Sequence, residues 1–321
     1  MSDTCNDSAL ALDHQSWQIM TIVSTLRARI QRHAFDWVLL AVLIVAVCVL
    51  ESSNDGFKRQ FSLTDTAIQF PHATKERVPT FALFLISLVA PSIIVVALPV
   101  FLDKPLQRIH YGLLGLGLTY CFTETVTNII KLNAGRPRPD LLDRCRPSIG
   151  AQTLSSNTYH STLVDASVCT TPLDSSLISD GFKSFPSGHS SSSFCGLVYL
   201  GFYVRHILWH YAQRLSSRRY AIRVANTSTS DVSEAGEPDT GLLNRNDEES
   251  DAENARSLVL LGVVVQLLLL LGATMVGVSR TMDYRHHSTD VLAGGIIGSL
   301  IAAFFFHVYH PLAIPRFEML Q

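Results

Sequence analysis

Six stretches of this chain are too long and too apolar for ordinary solvated helices: Phe35 to Leu50, Phe81 to Leu102, Ile109 to Ile130, Ser191 to Trp209, Leu258 to Val278 and Val291 to Val308. A bilayer-spanning helix needs about 20 predominantly apolar residues, and soluble helices rarely lack a polar face. The first stretch is short and carries Asp36, so its boundary is soft. The stretch from Leu258 to Leu271 has a single polar interruption, Gln266. Only 16% of the residues are charged, against about 25% in soluble domains. These features predict an all-α integral membrane protein, a six-transmembrane-helix bundle. An even number of spans puts both termini on one side.

The connections divide accordingly. Loops at 51–79, 131–189 and 279–290 share one face. The N-terminal segment 1–33, a turn at Asp103 to Arg108, a loop from His210 to Arg256 and the tail 312–321 share the other. Basic residues are almost equally numerous on both faces. Several on the loop face belong to the motifs below, and discounting them leaves an excess with the termini, which the positive-inside rule places in the cytosol. The first apolar stretch lacks a small-residue cleavage pattern and reads as an uncleaved anchor. The core is expected over 34–311, interrupted at about 215–256 by a cytosolic insertion. Its section from Thr227 to Glu253 is rich in Ser, Asp, Glu, Asn and Gly and reads as disordered. Asn6 and Asn226 head Asn-x-Ser sequons, which this topology leaves unmodified. Cys48, Cys121 and Cys195 lie in spans and read as small hydrophobes. Cys145 and Cys169 share one polar loop and could pair if it is extracytoplasmic, although no spacing rule enforces it.

Three polar clusters sit where spans end on the loop face: Lys131-Leu-Asn-Ala-Gly-Arg136-Pro-Arg138-Pro139, Ser184-Phe-Pro186-Ser187-Gly188-His189-Ser190, and Ser279-Arg280 followed by His286 and Asp290. Fixed cations at Lys131, Arg138 and Arg280 repel one another unless an anion lies between them. Arginine offers a planar fork to phosphate oxygens and lysine a compact charge. The Pro-Ser-Gly-His turn, with Ser187 and Gly188 opening a helix, adds backbone N–H groups at a helix N-terminus. Together they suit a phosphoryl group and the charge on its equatorial oxygens during transfer. His286 and Asp290 are spaced i, i+4. If the sixth helix starts that early they share a face, and the carboxylate fixes the ring tautomer. His286 is then a candidate nucleophile forming a phosphohistidine, and His189 a candidate acid and base. Neighbouring cations would keep His286 neutral, and Asp290 would compensate when the ring charges.

Each residue has a plainer reading alone: a surface histidine, a snorkelling lysine, a serine run that packs helices. His287 and Asp283 beside His286 suggest a metal only weakly, since no complete ligand set appears and three cations oppose one. No metal or cofactor is expected. The joint occurrence of all three clusters on one face separates the readings.

That constellation resembles the type 2 phosphatidic acid phosphatase superfamily, the lipid phosphate phosphatases. Their three-part signature, Lys-x6-Arg-Pro, Pro-Ser-Gly-His and Ser-Arg-x5-His-x3-Asp, is complete as Lys131…Arg138-Pro139, Pro186-Ser187-Gly188-His189 and Ser279-Arg280…His286…Asp290. The segments Phe61 to Pro71, Glu76-Arg77-Val78-Pro79 and Asp180-Gly181-Phe182-Lys183 look like fungal and plant diacylglycerol pyrophosphate and lipid phosphate phosphatases. The insertion lies outside the shared pattern. The resemblance implies a six-helix core, a magnesium-independent reaction and an active site at the extracytoplasmic helix ends. It implies phosphate contacts from Lys131, Arg138 and Arg280, with His189 as acid, His286 as nucleophile and Asp290 as its orienter.

The expected substrates are phosphatidic acid, diacylglycerol pyrophosphate, lysophosphatidic acid and related lipids, lying in the bilayer with headgroups at the span ends. The expected setting is the ER or Golgi, vacuole or plasma membrane, with the active site lumenal or extracellular. Polyprenyl or dolichyl diphosphates and sphingoid-base phosphates are the alternative substrates. A vanadium haloperoxidase shares the oxyanion site but is soluble, and a non-catalytic receptor or scaffold would usually lose motif residues. The partners are the bilayer and a membrane lipid phosphate. No nucleic-acid partner is expected, and a homo-oligomer is compatible with the sequence.

Overall fold

In the computed structural model, residues 31, 33–53, 56–102, 106–148, 163–230 and 245–311 are described. The chain is mostly helical. Helix α1 is Ala34–Ser52. Helix α2 covers Thr80–Phe101, with a π-helical turn at Leu85–Val89. Helix α3 is Leu106–Ala134, followed by short α4 (Leu141–Cys145) and α5 (Ser176–Gly181). Three long helices complete the chain: α6 (Gly188–Ser230), α7 (Arg245–Met282) and α8 (Ser288–Tyr309).

Among the described residues, five helices are long and apolar enough to cross a membrane: Ala34–Ser52, Thr80–Phe101, Gln107–Ala134, Glu253–Met282 and Ser288–Tyr309. The expected fourth stretch, Ser191 to Trp209, is helical but is not among them. Its helix, α6, is the central one, packed against α2, α3, α7 and α8. Cys195, Tyr199, Leu200, Tyr203 and Ile207 of α6 are buried. A helix wrapped by other helices has less need of an apolar surface than one facing lipid. The outer helices show the reverse: Leu260, Leu261, Val264, Leu267, Leu268 and Leu271 on α7 are exposed, as are Leu292, Leu300 and Phe304 on α8. Exposed rows of this kind suit hydrocarbon.

Ser190 to Ser193 fasten α6 to its neighbours. Ser190 Oγ donates to the Val291 carbonyl at 2.7 Å, Thr127 Oγ1 donates to Ser191 Oγ at 3.0 Å, and Ser192 donates to the Glu124 carboxylate. Buried hydroxyls acting as interhelical links are a recurrent device in membrane bundles.

On one end the two long loops fold together as a cap. Phe61–Ser62 (β1) pairs antiparallel with Leu163–Val164 (β2), Phe61 opposite Val164. A separate small core of Phe61, Ile68, Leu141, Ala166, Ile178 and Phe182 fills the space below. Cys145 and Cys169, left open by the sequence, are joined by a disulfide within it. The expected disordered insertion is corrected at both ends: α6 continues to Ser230, so Asn226 is helical, and α7 starts at Arg245. The remainder of that insertion, at 231–244, the N-terminal segment with Asn6 and the tail at 312–321 lie outside the described residues.

Candidate active site

The three motifs, more than 140 residues apart in sequence at their extremes, meet beneath the cap. Lys131 stands in the last turn of α3. Arg138 follows in the extended segment leading to α4, and its backbone N–H donates to the Gly181 carbonyl at 2.8 Å. Gly188 and His189 open α6. Arg280 ends α7, and His286 lies between α7 and α8. Lys131, Arg138, Gly188, His189, Arg280 and His286 all line one cavity of about 420 Å³, with Glu76, Asp180, Glu124 and Ser192.

Packing fixes the residue types locally. A Cβ on Gly188 would lie 2.4 Å from the Lys131 ammonium nitrogen, so glycine is what lets the lysine reach the helix start. The first N–H groups of a helix have no intrahelical acceptor, and Gly188 and His189 at the start of α6 line the cavity. The Ser187 amide is an exception to the expected arrangement, since it donates to the Asp290 carbonyl at 3.0 Å. The Ser187 hydroxyl, Arg138 Nε and Arg280 Nε are buried without a hydrogen-bond partner. Buried donors are seldom left unpaired, and an anion in this cavity would reach the two on Arg138 and Arg280, which line it.

The two histidines are held in definite tautomers by carbonyl groups, which can only accept. His286 Nδ1 donates to the Ser184 carbonyl at 2.6 Å, so Nε2 carries the lone pair. His189 Nε2 donates to the Val78 carbonyl at 3.0 Å. Burial, reinforced by Arg138, Lys131 and Arg280, holds the His286 pKa well below the ordinary histidine value. Burial and then Arg280 push His189 down to about 3. Both rings are therefore neutral at pH 7.

The expected pairing of Asp290 with His286 is corrected. Helix α8 starts at Ser288, so His286 precedes the helix and the i, i+4 relation does not bring the two together. Asp290 instead caps α8, accepting from the His287 backbone N–H at 3.0 Å, with the His287 ring Nδ1 3.2 Å from the same carboxylate. It also pairs with Arg136 Nη1 at 2.5 Å and accepts from Ser184 Oγ at 2.6 Å. Ser184 thus touches both, through its hydroxyl to Asp290 and its carbonyl to His286.

Several residues with no role assigned from sequence surround the site. Asp180 pairs with Arg138 at 2.6 Å, with Arg144 at 2.9 Å and with Arg285 at 3.3 Å. Against its own desolvation, Arg138 and Arg144 hold its carboxyl well below the usual range. Glu76 contacts Arg280 and Arg285. The segments holding Glu76 and Asp180 stood out by resemblance alone, Ser184 opened the second polar cluster without a role of its own, and Arg144, Arg285 and Glu124 gave no chemical signal.

Comparison with known proteins shows what the chain is similar to. The family model described as the PAP2 superfamily matches residues 112–313. Diacylglycerol pyrophosphate phosphatase 1 of Saccharomyces cerevisiae is 33% identical over 288 residues, covering 87% of this chain and 82% of that protein. Lipid phosphate phosphatase 2 of Arabidopsis thaliana is 30% identical over 282 residues, covering 87% and 78%. A probable diacylglycerol pyrophosphate phosphatase 1 of Schizosaccharomyces pombe is 29% identical over 280 residues, covering 87% and 81%. No solved structure matches the chain.

Proposed function

The chain belongs to the PAP2 superfamily, and from that premise we propose that it is a lipid phosphate phosphatase working through a phosphohistidine. The observation that carries the reading is the gathering of Lys131, Arg138, His189, Arg280 and His286 around one cavity, with Arg138 Nε, Arg280 Nε and the Ser187 hydroxyl buried and unpaired. The names of the relatives support phosphatidic acid, diacylglycerol pyrophosphate and related lipids as substrates.

Lys131, Arg138, Arg280 and the first amides of α6 hold the phosphoryl oxygens. The His286 Nε2 lone pair attacks phosphorus as the P–O bond to the lipid breaks, and Nδ1–H stays on the Ser184 carbonyl. The leaving oxygen takes a proton from His189. A bound phosphoryl group offsets the cations that otherwise depress His189, so the ring can hold that proton while substrate is present. Water then gives a proton to His189, its oxygen displaces the P–N bond, and inorganic phosphate and neutral His286 are regenerated. Asp290 supports His286 indirectly, by holding Ser184. Fixed cations supply the charge stabilisation, so the reaction is magnesium-independent.

In this reading the chain has six spans, α6 being the fourth, and its core covers 34–311. The termini and the insertion are cytosolic and the capped end is extracytoplasmic. The Cys145–Cys169 disulfide supports that orientation.

The test is phosphate release from phosphatidic acid and diacylglycerol pyrophosphate by the purified chain and His286→Ala, in detergent with excess EDTA. Turnover by the parent, falling at least about a thousandfold in the variant, is expected. Loss of the parent's activity in EDTA, or retention by the variant, would refute the mechanism.

A further inference from the structure

The segment between the cap and α2 is strapped across the site. The Val78 carbonyl accepts from both Arg280 Nη1 at 3.2 Å and His189 Nε2 at 3.0 Å. The Arg77 amide donates to Asp283 Oδ2 at 2.9 Å, and its guanidinium pairs with the same carboxylate. The Ala73 carbonyl accepts from Arg285 Nη2 at 3.4 Å. Between these anchors Glu76 sends its carboxylate into the cavity. Its Oε2 lies 3.1 Å from Arg280 Nη1 and 3.9 Å from His189 Nε2, and its Oε1 lies 2.8 Å from Arg285 Nη2.

This places a carboxylate on one of the three cations that would hold phosphate, beside the histidine that would protonate the leaving group. A phosphoryl group on the remaining donors of Arg280 must lie close to that carboxylate. Two anions a few ångströms apart in a partly desolvated site repel strongly. Arg285 offers Glu76 a second partner away from the reacting group, because that guanidinium also bonds Asp180 and does not line the cavity. Asp180 makes a similar contact with Arg138 but is shared among three guanidiniums, which fixes it in place.

We propose that Glu76 is a resident counter-anion of the phosphate site: it holds Arg280 until a phosphoryl group arrives, withdraws onto Arg285, and returns to weaken the hold on product phosphate. The inference rests on the phosphate site described above and makes Glu76 a determinant of affinity, not a catalytic residue. Without that competitor on Arg280 the site would hold inorganic phosphate more tightly after each turnover.

The test is equilibrium binding of radiolabelled orthophosphate to the full chain in detergent, with parent turnover of phosphatidic acid measured alongside. Glu76→Gln, which keeps the shape and removes the charge, is expected to bind phosphate about tenfold more tightly. Arg285→Gln is expected to bind it more weakly, and the double variant to match Glu76→Gln, because Arg285 acts through Glu76. A Glu76→Gln protein that binds phosphate no more tightly than the parent, or not at all, overturns the proposal. So does an Arg285→Gln penalty that persists in the double variant. Should Glu76→Gln fail to fold, tighter or unchanged binding by Arg285→Gln refutes the proposal and weaker binding supports it. A parent that binds phosphate but hydrolyses no lipid would sink the phosphatase reading while leaving the Glu76 comparison decisive.

Discussion

Ser184 is the residue whose importance its type least suggests. Its hydroxyl and carbonyl lie on opposite partners, Asp290 at 2.6 Å and His286 Nδ1 at 2.6 Å. Removing the hydroxyl leaves a buried carboxylate short of a donor. Ser184→Ala is therefore expected to lose about 1–3 kcal/mol of stability and to lower kcat with little change in KM. Ser184→Thr, which keeps the hydroxyl, should restore both; steady-state kinetics and thermal melting of the three proteins decide it. His189 makes a second prediction at this scale. Its folded pKa, about 3, lies below the ordinary value of about 6.5. Between these limits the unfolded chain binds the extra proton, so stability falls as pH drops from about 6.5 toward 3. His286 acts in the same direction. Melting curves between pH 7.5 and 4.5 should show this decline, and His189→Asn should flatten it; an unchanged slope would contradict the assignment. The residues Lys131, Arg138, His189, Arg280 and His286 could be singled out from type and spacing, because cations and histidines clustered at span ends suit a phosphoryl group. Ser184 stood in a cluster and Glu76 in a segment marked by resemblance, but neither they nor Arg285 could be given a role, since serine, glutamate and arginine at loop positions are ordinary until their partners are known.

Among the elements, the start of α8 decides most. Capping by His287 and Asp290 sets it at Ser288, which carries His286 out of the helix and onto Ser184. The approach of α8 to α6 depends on Gly294, where a Cβ would meet the Ser187 carbonyl oxygen at 2.5 Å. Gly294→Ala must push back the segment that presents Ser187 and Gly188, at a cost of about 1–3 kcal/mol and with loss of turnover. Adjacent Gly295 provides the control, because its Cβ would stand 3.4 Å from the Phe194 ring. Gly295→Ala should behave like the parent in both assays, and equal effects from the two would refute this account of the packing. The cap offers another test. The Cys145–Cys169 link closes a sequence separation of 24 residues, and chain entropy assigns such a loop about 3–4 kcal/mol. Replacing both cysteines by serine should lower the unfolding free energy by that amount, with a matching fall in melting point, and make stability indifferent to reductant. Reduced activity should accompany it, since Arg144, next to Cys145, holds Asp180 and through it Arg138.

For the whole molecule, the orientation of the capped end governs which compartment supplies substrate. An Asn-x-Thr sequon placed between residues 149 and 162 should acquire glycan in a eukaryotic host, and Asn226 should remain bare; the opposite pattern would invert the topology. The apolar stretches and the three motifs were legible without coordinates, because a bilayer imposes a length of apolar sequence and phosphoryl chemistry imposes residue types at fixed spacing. From them alone came a helical membrane protein with cations and histidines gathered at one end. Tertiary structure decided the rest. It showed α6 as the wrapped central helix, joined Cys145 to Cys169, moved Asp290 from His286 to Ser184 and Arg136, and brought Glu76 onto Arg280. Contacts between residues far apart in the chain follow from how helices pack and where loops cross, and sequence spacing holds no record of either.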